Sequence, residues 1–205
     1  MIRTFSFFLV ASLFCASFNI EAKKVECREL GIYFMLPAGF RSLDSTQLDK
    51  VGKRGEKAIK EEYNKETTKG WQPGCINVQD SFKRFITISS ITIKEAIESD
   101  GSVDKFMEVT FAESNDFLAK RLQSRLGWEV NKTEAVNQSN ITVGGLRVKK
   151  NSFIYRSGEV VRFFAQYYFF NDGTKLYLLS FTGSPKATDN EQVMKVIEAA
   201  NPIGK

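Results

Sequence analysis

The chain contains no histidine. That absence removes every Ser-His and Cys-His nucleophile pair, the usual means of activating a hydroxyl or thiol for covalent catalysis. No Gly-x-Ser-x-Gly elbow occurs, and no glycine-rich loop leads into the Gly-Lys-Ser/Thr that cradles phosphates. Zinc and copper sites draw on histidine or on several cysteines, and three cysteines without a histidine supply them poorly. Basic residues are not gathered into a lysine-rich tail or an arginine block, so nucleic-acid binding has no electrostatic footprint. Carboxylates do cluster, in "KEEYNKE" and "DNE", but these read as solvated helix faces and a cap, not as converging acids for glycoside cleavage. No catalytic residue, metal ligand or cofactor is assigned, and the chain is not expected to be an enzyme.

What is present is an ordinary globular balance. Of 205 residues, 42% are hydrophobic and 26% charged, enough for one core after any targeting segment is removed. The opening "MIRTFSFFLVASLFCASFNIEAKK" has a basic Arg3, an apolar run from Phe5 to Phe18 and a short polar exit. That is the pattern of a secretory signal peptide over residues 1–22. A membrane anchor fits less well, because the apolar run falls short of the ~20 residues a spanning helix needs. Cleavage after Ala22 competes with cleavage after Ala16 or Ser17. Lipid attachment at Cys15 is disfavoured by the bulky Phe14 before it. Without residues 1–22 the formal charge stays +5, compatible with simple solubility and with peripheral contact on an anionic membrane surface.

The cleaved chain would keep Cys27 and Cys75 alone. In an oxidising compartment two cysteines suggest one disulfide, worth roughly 4 kcal/mol for a loop of that length. Two separate buried thiols are the alternative. The sequons at Asn131, Asn137 and Asn140 match glycosylation acceptors where the source has that machinery.

Hydrophobic period organises the rest. Ile32 to Leu36 reads as a strand stopped by Pro37 and Gly39. Ser45 to about Thr67 reads as a helix whose inner stripe includes Gly52 and Gly55, which would let it approach a sheet closely. Phe85 to Ile93 is a strand, and "GWQPGCINVQDSFKR" before it a loop with a short extended piece. Ser102 caps a long helix that carries Val103, Phe106, Met107, Thr110, Phe111, Leu118, Leu122 and Leu126 on one stripe and ends near Gly127. Strands follow near Trp128–Ala135, Leu146–Tyr155 and Val160–Phe170, with "VGG" and "RSGE" as turns. Thr188 stands three residues before Glu191, a capping-box spacing for a last helix that ends at Asn201 and Pro202.

The aromatic stretch "VVRFFAQYYFFNDGTKLYLLSFTG" forms the last hairpin, with Asp172-Gly173 at its turn. Setting Asn171 opposite Thr174 pairs Tyr168 with Tyr177, Gln166 with Leu179 and Phe164 with Phe181. Both faces are then mainly apolar, so the hairpin must be covered on both sides. The expected fold is α+β, a three-layer α/β/α sandwich with a largely antiparallel central sheet, over residues 23–205 as one domain. The candidate partner surface is Arg162, Gln166, Tyr168, Lys175 and Tyr177, if no helix covers them.

The start "YFMLPAGF", the long helix before the second half, the "VGGL" entry to a run of strands and the closing "YYFFNDGTKLYLLSFT" resemble the PsbP-like superfamily across nearly the whole cleaved chain. That resemblance implies an α/β/α sandwich and a non-catalytic role, as in extrinsic photosystem subunits, a Ran-binding factor and bacterial envelope proteins. It transfers no catalytic or binding residue. The sequence therefore favours a secreted or periplasmic binding or accessory protein that assists a protein of the cell envelope. An extracellular protein acting on a host or competitor cell is the alternative, and a histidine-free hydrolase ranks below both.

Overall fold

The computed structural model describes residues 22–63, 71–127, 137–157, 160–171 and 173–204, with some side chains inside these ranges excepted. The leader up to residue 21, the strand expected near Trp128–Ala135, Asn131, the Gly158-Glu159 part of the "RSGE" turn and Asp172 lie outside them. So do the surroundings of Gly52 and Gly55 and the side chain of Cys75.

Among the described residues fourteen elements follow one another. They are β1 (Lys23–Cys27), β2 (Ile32–Leu36), β3 (Arg41–Ser42), α1 (Ser45–Tyr63), β4 (Gln72–Gln79), β5 (Phe85–Thr92), α2 (Ile93–Asp100), α3 (Val103–Leu126), β6 (Asn137–Val143), β7 (Leu146–Ser157), β8 (Val160–Asn171), β9 (Lys175–Thr182), α4 (Asn190–Glu198) and β10 (Asn201–Pro202). Seven strands form one antiparallel sheet in the order β3-β4-β5-β9-β8-β7-β6, and three form a small sheet, β1-β2-β10. The fold is α+β with a largely antiparallel central sheet.

The aromatic hairpin sits near the centre of the large sheet, and both of its faces are covered. One face carries Ala165, Tyr167, Phe169, Tyr177, Leu179 and Phe181, packed with Ile32, Phe34 and Leu36 of β2 and with Val193, Met194 and Ile197 of α4 in a single cluster. This outer layer is half sheet, which the helical periods alone did not suggest. The other face meets α2 and α3 and is split between two clusters. Tyr168, Leu176 and Leu178 pack with Ala96, Phe106 and Met107, while Phe153, Tyr155 and Phe164 pack with Phe111, Ala119 and Leu122.

The hairpin register differs from the expected one by a residue. Asn171 pairs with Lys175, so Tyr168 lies opposite Leu178, Phe169 opposite Tyr177 and Gln166 opposite Ser180. The connection is three residues long instead of two, with Gly173 at φ +73°. Because strand side chains alternate faces, this one-residue shift puts Tyr168 and Tyr177 on opposite sides of the sheet.

The helix starts show how local chemistry sets the elements. Thr92 and Glu95 make a reciprocal capping box that opens α2, a helix the periodicity did not single out. Ser102 accepts the Lys105 N–H and caps α3, and Gly127 closes that helix in the left-handed region. The capping box expected at Thr188 does not form. Asp189 is the N-cap and makes no side-chain cap bond; its carboxylate takes the Arg84 guanidinium at 2.6 Å. Helix α4 stops at Glu198, short of Asn201 and Pro202, which pair with β2 instead. "QPGCINVQ" is a full strand, β4, whose register against β5 shifts between Pro73 and Asn77. Gly144, at φ +58°, turns β6 into β7, and an added Cβ there would overlap Ile32 Cγ2.

Candidate functional site

At one end of the sheet the apolar covers stop and a polar cleft of about 410 Å³ opens. Strand β5 supplies Ser90 and Thr92, with Gln72 of β4 opposite Ser90 and Lys175 of β9 opposite Thr92. Glu95 enters from the first turn of α2, and Glu29 from the turn between β1 and β2. That turn is tied down across the molecule, because the Asn171 side-chain amide donates to the Glu29 carbonyl at 2.7 Å. The start of α2 is tied too, by the Ile93 N–H donating to the Thr174 carbonyl at 2.9 Å. A cleft framed by two strand ends, a capped helix and a pinned turn holds its shape without a ligand.

Its two carboxylates differ. Glu95 accepts both the Thr92 backbone N–H, at 3.1 Å, and the Thr92 hydroxyl, at 2.8 Å. These bonds favour the ionised form and hold the Glu95 carboxyl below its usual value. A carboxyl held ionised is a poor general acid at neutral pH. Glu29 and Lys175 are exposed and bring opposite charges to the lining of this polar pocket. The arrangement can recognise a charged polar segment. Its groups come from four separate stretches of chain, which is why the sequence alone did not assemble it; only the Thr92-x-x-Glu95 spacing was there to be read.

Of the five residues expected to share a surface, only Lys175 lies at an open site. Tyr177 faces the core shared with β2 and α4. Gln166 and Tyr168 are 2% and 0% exposed beneath α3. There the Tyr168 hydroxyl donates to Gln166 Oε1 at 2.8 Å, Gln166 Nε2 donates to Ser114 Oγ at 3.1 Å, and Ser114 Oγ donates to the Thr110 carbonyl at 2.7 Å. Arg162 lies opposite Tyr155 on the same face, where burial pulls its guanidinium below the ordinary value and Tyr155 counteracts part of that. A helix does cover them, so these residues form no common surface.

Gln166 belongs to a row that crosses the sheet. Gln138, Asn151, Gln166, Ser180, Thr87 and Asn77 are successive cross-strand partners from β6 to β4. This polar row separates the two apolar clusters under α2 and α3. Asn151 Oδ1 and Thr110 Oγ1, both buried along it, have no hydrogen-bond partner among the described residues.

Cys27 is fully buried in the cluster shared with β2. Asn137 and Asn140 both fall in β6, the edge strand of the large sheet, and Asn140 is exposed. Among the described residues no three acidic or cysteine side chains gather as a metal cage, and no helix is long and apolar enough to cross a membrane.

No protein family and no curated protein matches the chain. Among solved structures it is similar to the solution structure of cyanobacterial PsbP (CyanoP) from Synechocystis sp. PCC 6803. The identity is 14%, over 92% of this chain and 96% of that one, with a TM-score of 0.47. The likeness is one of architecture.

Proposed function

We propose that the protein is an exported, non-catalytic accessory protein that docks a protein of the cell envelope in the cleft between Glu29 and Lys175. The observation that carries this reading is the cleft itself, a pre-shaped polar pocket lined by one cation, Lys175, and two carboxylates, Glu29 and Glu95. The complementary segment carries an acidic group for Lys175 and a cation or N–H donor for Glu29. Export is supported by the leader pattern of residues 1–22. It is supported again by Cys27, which is disulfide-bonded and whose strand β1 lies against β4, the strand of Cys75. We take Cys75 as its partner.

The test places a photo-activatable side chain at Lys175, in the cleft, and at Ile97, exposed on α2 and not among the residues that line it. A single envelope protein crosslinked from position 175 and not from 97 supports the reading. Equal crosslinking from both positions, or none from 175, overturns it. Mass spectrometry of the unreduced protein reports the Cys27–Cys75 bridge directly.

A further inference from the structure

We propose that the turn between β4 and β5, with Phe82 at its tip, is where the protein rests on an anionic lipid surface. Phe82 is 47% exposed, the largest exposure among the exposed large apolar side chains described. The turn that presents it is rigid. Asp80 Oδ1 accepts the N–H groups of both Phe82 and Arg84 at 3.0 Å, and the Asp80 carbonyl accepts the Lys83 N–H at 3.1 Å. Lys83 is held at φ +62°, the one positive φ among the described non-glycine residues. A left-handed lysine persists only where its surroundings over-determine it.

Beneath the turn, the buried Arg84 pairs with Asp80 and with Asp189, each at 2.6 Å, and lies 5.6 Å from the Phe82 ring and 5.4 Å from the Phe40 ring. The ring is therefore braced from below and held outward instead of folding onto the core. Exposed cations lie on the turn and on the segments that meet it. Lys83 is exposed on the turn, Arg41 is exposed on β3 opposite Gln79, and Lys186 is exposed on the segment leading to Asp189. Two carboxylates at the base of the turn, Asp80 and Asp189, are engaged by Arg84.

A lone ring flanked by polar Ser81 and by lysine lacks the apolar surround of a protein-interface core. It does suit the headgroup layer of a bilayer, where an aromatic settles at the interface and cations meet anionic lipid. The turn and the cleft lie at opposite ends of β5, about 25 Å apart at ~3.3 Å per residue. A partner in the cleft would thus be held one strand length from the lipid. The inference does not depend on the cleft having a partner.

The experiment is flotation of the exported protein with vesicles of phosphatidylcholine alone or mixed with equal phosphatidylglycerol. Binding to the mixed vesicles, weakened by salt, is expected. Phe82→Ala should lower it at least fivefold with an unchanged melting temperature. Lys83→Asn, which keeps a residue tolerant of the left-handed region while removing the charge, should lower it about fivefold. Phe82→Trp should bind as wild type and show a blue-shifted emission on vesicles. Absence of binding to the mixed vesicles, equal binding to neutral ones, or a Phe82→Ala variant that floats like wild type would each overturn the proposal, as would a ring that instead proves to seat in a protein.

Discussion

The two faces of the central sheet are built on different principles. The face toward β2 and α4 is one continuous apolar cluster. The face toward α2 and α3 is two smaller clusters divided by Gln138, Asn151, Gln166, Ser180, Thr87 and Asn77. The same hairpin contributes to both, Tyr167 and Phe169 on one side and Tyr168 and Phe164 on the other. Stability should therefore come chiefly from the first face, while the second trades apolar area for hydrogen bonds that fix where α3 sits. Among the described residues both faces are covered, so the proposed docking falls at the sheet's end.

Large-to-small substitution sharpens the contrast most. Phe181→Ala, in the continuous cluster, should cost about 3–5 kcal/mol in denaturant unfolding. A loss below about 1 kcal/mol would mean the cluster is looser than its burial implies.

High pH acts on both faces together. Burial raises the hydroxyl pKa of Tyr155, Tyr167 and Tyr168 above the ordinary value of 10, and the Glu198 carboxylate, hydrogen-bonded to Tyr167, adds to its rise. Their folded-state pKa values are raised, so the stabilisation is fully present below pH 10 and is lost as pH climbs above the unfolded value. Three such groups give a slope of about 4 kcal/mol per pH unit. Melting temperature measured from pH 9 upward should fall steeply past pH 10, with tyrosinate absorbance from these rings appearing only on unfolding. Free titration of all tyrosines in the folded protein would contradict this burial.

Within the polar row, Gln166→Leu removes the close acceptor of the Tyr168 hydroxyl and the donor to Ser114 Oγ, and should cost about 1–3 kcal/mol. Thr92→Ala removes the cap of α2 and should cost about 1 kcal/mol. In the same variant the Glu95 pKa, followed by NMR, should climb back toward 4.5, the value that Thr92 depresses. Asn151→Leu has the smallest expected effect. Its Oδ1 has no hydrogen-bond partner among the described residues, so replacing it should change stability by less than about 0.5 kcal/mol or raise it slightly. A large loss there would show that the row is fully bonded.

Much of this was legible beforehand. Two apolar faces on the hairpin implied covers on both sides, and Ile32–Leu36 and the Ser102 cap fall where pattern placed them. The register did not, because Asp-Gly fits both a two-residue and a three-residue connection, and only the neighbouring strand β5 selects between them. Strand β4 was obscured by Pro73 and Gly74, which weaken a strand pattern yet sit here where the pairing is irregular. Asp189 was read as part of a cap sequence, whereas a partner 105 residues away claims its carboxylate. The cleft was invisible for the same reason, since Glu29, Gln72, Ser90 and Lys175 meet only through the sheet.

The most direct test compares the two places where recognition could reside. Once a partner is crosslinked from position 175, its affinity is measured for wild type, Lys175→Glu and Gln166→Leu. Docking at the sheet's end predicts that Lys175→Glu weakens binding at least tenfold while Gln166→Leu binds as wild type. Unchanged binding by Lys175→Glu, with loss in Gln166→Leu, would return recognition to the aromatic face beneath α3.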